Sequence, residues 1–62
     1  MKKYSVKIKV YKYSKFKWNE IKTFFAKDRE DAKGIAQNFI TSTEWAFDLS
    51  PIADLRTVKQ LH

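Results

Sequence analysis

The chain contains no cysteine, one glycine, one proline and one histidine among its 62 residues. Without cysteine neither a disulfide nor a thiolate metal site can brace the fold, and that lack fits a reducing compartment. So little glycine and proline argues against a disordered tail or a low-complexity linker, and a glycine-rich phosphate loop is excluded by the same count. The one histidine is His62, at a frayed end, whereas a general base or metal ligand has to be held in place. No catalytic residue, metal site or cofactor is therefore expected. No stretch approaches the roughly 20 apolar residues of a membrane span. The opening MKKYSVKIKV lacks the apolar run and small-residue cleavage site of a signal peptide. These absences predict a soluble, cytoplasmic, non-enzymatic protein, folded as a single small domain over residues 1–62.

Acid is almost missing from the first part of the chain. From Met1 to Lys27 there are nine lysines and only Glu20, a net of +8, while Asp28 to His62 carries four basic and six acidic residues, a net of −2. Seven of the ten aromatics (Tyr4, Tyr11, Tyr13, Phe16, Trp18, Phe24 and Phe25) lie in the basic part. A small domain buries only about 60% of the surface its unfolded chain exposes. Packing of rings that bury roughly 150–250 Å² each, or oligomerisation, has to supply the bracing.

Residues 3–13 alternate, with Tyr4, Val6, Ile8 and Val10 on one face and Lys3, Ser5, Lys7, Lys9, Tyr11 and Tyr13 on the other. A period of two with β-branched residues inside predicts a half-buried antiparallel strand. A turn is expected at Ser14 and Lys15, then a second strand over about Phe16–Ala26 with Phe24 and Ala26 on the core side. The mixed pattern near Asn19–Ile21 predicts a bulge there.

Asp28, with Asp31 three residues on, predicts a capped helix start, and the acids Glu30 and Asp31 suit the positive end of the helix dipole. Ala32, Ile35, Ala36, Phe39 and Ile40 follow the spacing of one buried helical face. Gly34 interrupts it at a cost of about 1 kcal/mol relative to alanine.

Thr41 to Glu44 is expected as a polar connection, and the alternation of Trp45, Phe47 and Leu49 as a third strand. In the tail, Ser50-Pro51 reads as a helix start, and Ile52, Leu55, Val58 and Leu61 recur every three residues. A short C-terminal helix is the first expectation there, an edge strand the second. The fold class predicted is α+β: ββαβ, a three-stranded antiparallel sheet with one helix packed on one face and that extra element.

Such a sheet leaves one face open. Side chains at i and i+2 of a strand are about 6.6–6.8 Å apart, near two nucleotides of rise at about 3.4 Å each, so Lys7 and Lys9 have the spacing to follow phosphates, with Tyr11, Tyr13 or Trp18 stacking on bases. Equally, aromatic anchors beside cations suit a protein interface, and lysines also serve simply to keep a sheet soluble and its edges unpaired. The one-sided clustering favours a binding surface, whose candidate residues are Lys3, Lys7, Lys9, Tyr11, Tyr13, Lys15, Lys17 and Trp18. The expected partner is an acidic protein surface or a nucleic-acid-associated protein. Direct, sequence-tolerant nucleic-acid binding is the alternative, and a homodimeric assembly module formed through the open sheet is the third reading. Membrane binding is not expected, because the amphipathic helix buries its apolar face in the fold.

With its 62 residues, its lysine-rich hairpin and the strand–turn–helix segment FFAKDREDAKGIAQNFI over 24–40, the layout resembles the small host-takeover proteins that tailed phages make early in infection. That resemblance implies a stoichiometric inhibitor or adaptor without catalysis, acting on a host enzyme, nuclease or defence component in the host cytoplasm. It assigns no residue a role.

Overall fold

The computed structural model describes residues 1–41 and 45–62. It contains β1 (Lys2–Lys12), β2 (Lys15–Ala26), α1 (Arg29–Ile40) and β3 (Leu49–Gln60). The three strands form one antiparallel sheet in the order β2-β1-β3. The lysine-rich first strand is thus central. Because β2 and β3 both run antiparallel to β1, they run parallel to each other. A connection between parallel strands has to cross the sheet, and α1 does so, covering one face.

The alternation in β1 places Tyr4, Val6, Ile8 and Val10 under the helix, all of them buried. Ala26 of β2, Ala32 and Ala36 of α1 and Val58 of β3 complete the core. The two helix alanines are small enough to bring α1 close to the sheet, while Ile35, Phe39 and Ile40 pack around them. Phe24 sits between the layers, its ring 6.3 Å from Tyr4 and 5.5 Å from Phe39.

The helix starts as its sequence predicts. The Asp28 carboxylate accepts from the Asp31 N–H at 2.9 Å. The Asp31 carboxylate accepts from the Lys27 N–H at 2.9 Å, one residue earlier than in a glutamate capping box. The Arg29 guanidinium donates to the Val58 carbonyl at 2.9 Å, tying the helix start to β3.

Four expectations need correction. The hairpin turn is Tyr13–Ser14, closed by the Lys12–Lys15 pair. Both turn residues have positive φ, 52° and 66°, as a two-residue hairpin loop of matching twist requires. The bulge between β1 and β2 lies earlier than Asn19–Ile21: Val10 pairs with Trp18 and Tyr11 with Phe16, leaving Lys17 as the extra residue. Parity is therefore unbroken from Trp18 to Ala26, and Trp18, Glu20 and Lys22 lie on the same side as Phe24.

Trp45 to Asp48 is not strand; its backbone turns, with the Leu49 N–H donating to the Ala46 carbonyl at 2.9 Å. The Trp45 indole N–H is anchored on the Phe39 carbonyl at 2.7 Å. For the connection predicted over Thr41–Glu44, residues 42–44 lie outside the described residues.

The tail is the edge strand β3 and not a helix. Proline is tolerated on an edge, where its missing N–H costs no ladder bond, and Pro51 pairs with Val10 on that edge. The spacing of three has a different cause. Ser5 pairs with Lys59 and Lys7 with Asp54, so β3 spends three more residues than β1 between those pairs. The excess forms a bulge in which the Thr57 hydroxyl donates to the Asp54 carbonyl at 2.7 Å and accepts the Lys7 N–H at 2.8 Å. Two stretches of period two, joined out of phase, imitate a helical spacing.

Candidate binding face

The face away from α1 is built from one parity of each strand. On β1 it carries Lys3, Ser5, Lys7, Lys9 and Tyr11. The register sets Phe25, Thr23, Ile21, Asn19 and Phe16 of β2 beside them in turn. On the other flank, Lys59 lies opposite Ser5, Asp54 opposite Lys7 and Ile52 opposite Lys9. The Leu61 N–H donates to the Lys3 carbonyl at 2.8 Å, which brings Leu61 into the same row. Four large apolar side chains here are more than half exposed: Phe16 (52%), Ile21 (61%), Phe25 (59%) and Ile52 (53%).

Toward the start of β1 the face is dished. Ser5 is the floor, only 5% exposed, and Lys7, Ile21, Thr23, Thr57, Lys59 and Leu61 surround it in a depression of about 440 Å³. The walls are largely aliphatic, and Lys7 and Lys59 line them as well; long lysine stems can cover apolar surface while the charged end stays in water.

Charge divides the lysines. Lys9 approaches the Asp54 carboxylate at 3.8 Å and Lys12 the Asp48 carboxylate at 3.1 Å. The Arg56 Nε and backbone N–H also donate to Asp54 at 3.3 and 3.2 Å. The Arg56 side-chain hydrogen bond is the main cause holding the Asp54 carboxyl below its ordinary value of 3.8, partial burial opposes it, and the Arg56 backbone bond and the charges of Arg56 and Lys9 add to the lowering. Lys3, Lys7 and Lys59 form no ion pair among the described residues.

Of the eight sequence-predicted residues, Lys3, Lys7, Lys9 and Tyr11 share this face. Tyr13 is in the hairpin turn and 79% exposed. Lys17 is the bulge residue, and Lys15 closes the turn opposite Lys12. Trp18 pairs with Val10 and so lies on the helix side, its indole N–H directed at Glu20 at 3.4 Å. Phe16, Ile21, Ile52, Lys59 and Leu61 were missed; the parity of β2 signals the first two once the bulge is placed at Lys17, and the other three depend on recognising β3.

Among the described residues no cluster of three or more histidine, cysteine or acidic side chains could hold a metal ion, and no helix is long and apolar enough to cross a membrane. Comparison with protein-family models, with curated proteins and with solved structures finds no match.

Proposed function

We propose that this protein acts by binding and not by catalysis, and that its open sheet face docks on an acidic protein surface, blocking or modulating the partner. The observation that carries this reading is the depression over Ser5, where Lys7 and Lys59, which form no ion pair among the described residues, stand among largely aliphatic walls, with Lys3 next along the same face of β1. Exposed apolar area rimmed by charge marks an interaction surface, and a buried apolar anchor within a polar rim is how protein interfaces concentrate their energy. An acidic segment presenting one apolar side chain matches both parts.

The rings favour a protein over a nucleic acid as the occupant. Tyr11 and Phe16 meet edge to face at 5.8 Å, Trp18 is on the opposite side of the sheet, and among the described residues Phe25 is the one ring beside the lysines that form no ion pair. A row of free rings beside cations, the platform on which successive bases stack, is not assembled.

The test is affinity capture with the wild type and with Lys3→Glu/Lys7→Glu/Lys59→Glu, in extract treated with nuclease. A protein held stoichiometrically by the wild type and released by the charge-reversed face is the expected result. Retention by the triple variant removes the face from the interface. Capture that vanishes with nuclease, together with retarded nucleic acid whose log K falls by about 0.7–0.9 per phosphate contacted against log salt, replaces this reading with direct nucleic-acid binding.

A further inference from the structure

β2 is an edge strand of 12 residues. Over Trp18–Ala26 its pairing with β1 runs without a bulge, and among the described residues no strand lies on its outer side. The other edge, β3, is guarded by Pro51 and by the bulge at Asp54–Thr57. Proline and bulges are two devices that block an edge from pairing; the regular part of β2 has neither, and its one lysine, Lys22, stands two residues from Glu20 on the same face.

We infer that two copies of the chain pair antiparallel through the outer edges of β2, about a two-fold axis at Ile21. The pairing rests on the strand edge and not on the docking reading, although Ile21 and Thr23 line both the seam and the depression over Ser5. The register follows from parity. Antiparallel strands related by a two-fold within one sheet keep their faces in common, so each residue lies opposite one of its own parity and the axis passes through a residue. Glu20 is the one acid in β2. Within the regular stretch the one lysine of its parity is Lys22; Lys17 is the bulge residue, and Lys15 lies beyond it, where the strand bends. Setting Glu20 of one copy opposite Lys22 of the other fixes the axis at Ile21.

The same register puts Asn19 opposite Thr23 and Trp18 opposite Phe24, and brings the two exposed Ile21 side chains together. Opposite charges and aromatic pairs directly across strands are favourable. Glu20 and Lys22 already approach within each chain at 3.9 Å, so the dimer contains a quartet of alternating sign. The contact is isologous, as a closed two-fold dimer requires. It yields a six-stranded sheet in the order β3-β1-β2-β2-β1-β3, with α1 of both copies on one side and two copies of the lysine face on the other.

Charge-swap variants test this by analytical ultracentrifugation at millimolar chain concentration, with circular dichroism as the check on folding. The wild type is expected to sediment at twice 7.4 kDa. Glu20→Lys alone and Lys22→Glu alone place like charges opposite each other, and each loses the dimer. Mixed together, they restore opposite charges across the axis and form a heterodimer. The double variant Glu20→Lys/Lys22→Glu keeps the pair within each chain; it dimerises with itself and excludes the wild type. A wild-type mass of one chain at that concentration overturns the inference. So does a dimer that survives Glu20→Lys, or a double variant that mixes freely with the wild type.

Discussion

The Thr57 hydroxyl makes both side-chain hydrogen bonds that link the β3 bulge to the Lys7 backbone and to the Asp54 carbonyl, so Thr57→Val is a sharp test of how β3 is held. Valine keeps the branched shape and suits a strand, but it leaves the Lys7 N–H of the central strand without its acceptor at 2.8 Å and the Asp54 carbonyl without its donor at 2.7 Å. An unsatisfied buried group costs about 1–3 kcal/mol. Thr57 is half-buried, so the lower part of that range, about 1–2 kcal/mol, is expected. At about 0.05–0.15 kcal/mol per residue, a chain of 62 residues has roughly 3–9 kcal/mol of stability in all, and a domain of this size shifts its Tm by about 4–8 °C per kcal/mol. Thr57→Val should therefore lower Tm by about 4–16 °C. Thr57→Ser retains the hydroxyl and loses one partly buried methyl, at most about 0.8 kcal/mol. Urea unfolding followed by tryptophan fluorescence measures both, and hydrogen exchange at the Lys7 amide should accelerate in the valine variant alone. A valine variant as stable as the serine one, with Lys7 exchange unchanged, refutes the role assigned to the hydroxyl.

Gly34 faces solvent in the middle of α1, and a Cβ added there meets no atom within 4 Å; Gly34→Ala should raise stability by about 1 kcal/mol, read as a higher urea midpoint at unchanged m-value. Asp54 has its folded-state pKa lowered below 3.8, so the stability it contributes is present above the unfolded-state value and disappears as pH falls through the folded one. Acidification below about pH 4 should thus destabilise the wild type more than Asp54→Asn, compared by urea midpoints at pH 6 and at pH 2–3; parallel losses in the two proteins would remove Asp54 from the acid response.

How much of this was legible in the sequence depended on where each element keeps a single period. β1 alternates from end to end, so both its buried and its open face follow from the residues. α1 announces itself through the Asp28 cap and the spacing of Ala32, Ile35, Ala36, Phe39 and Ile40. β2 carries a regular pattern displaced by one residue at Lys17, and a bulge placed at Asn19–Ile21 obscures the shared parity of Trp18, Glu20 and Phe24. β3 is hidden twice. Ser50-Pro51 imitates the first turn of a helix although its proline occupies a sheet edge, and the three surplus residues around Asp54–Thr57 convert a period of two into a spacing of three. The bulge is stabilised by the contact between Thr57 and the Lys7 backbone, 50 residues away in sequence, and no local pattern carries that information. The candidate site inherits the same division: its β1 residues were legible, and those of β3 were not.

The sheet order gives the charge asymmetry its meaning. A basic hairpin at the edge of a sheet would present its lysines as a solubilising fringe. With β1 central, the odd-numbered lysines of the first strand stand in the middle of the open face, with apolar Phe25 and Ile21 on β2 and Ile52 on β3 beside Lys3, Lys7 and Lys9 in turn. The acidic half of the chain then neutralises part of that charge toward the hairpin end, where Asp54 meets Lys9. Lys7 and Lys59 are left at the opposite end, lining the depression over Ser5, with Lys3 beyond it along β1. The face is therefore graded along the strands, unpaired positive charge and a depression with aliphatic walls over Ser5 at one end, Tyr11, Phe16 and Ile52 at the other. A uniform lysine stripe would attract any polyanion without orientation. For the acidic partner proposed above, a graded face would fix the orientation of docking, because only a surface carrying acid at one end and apolar side chains at the other satisfies both halves at once.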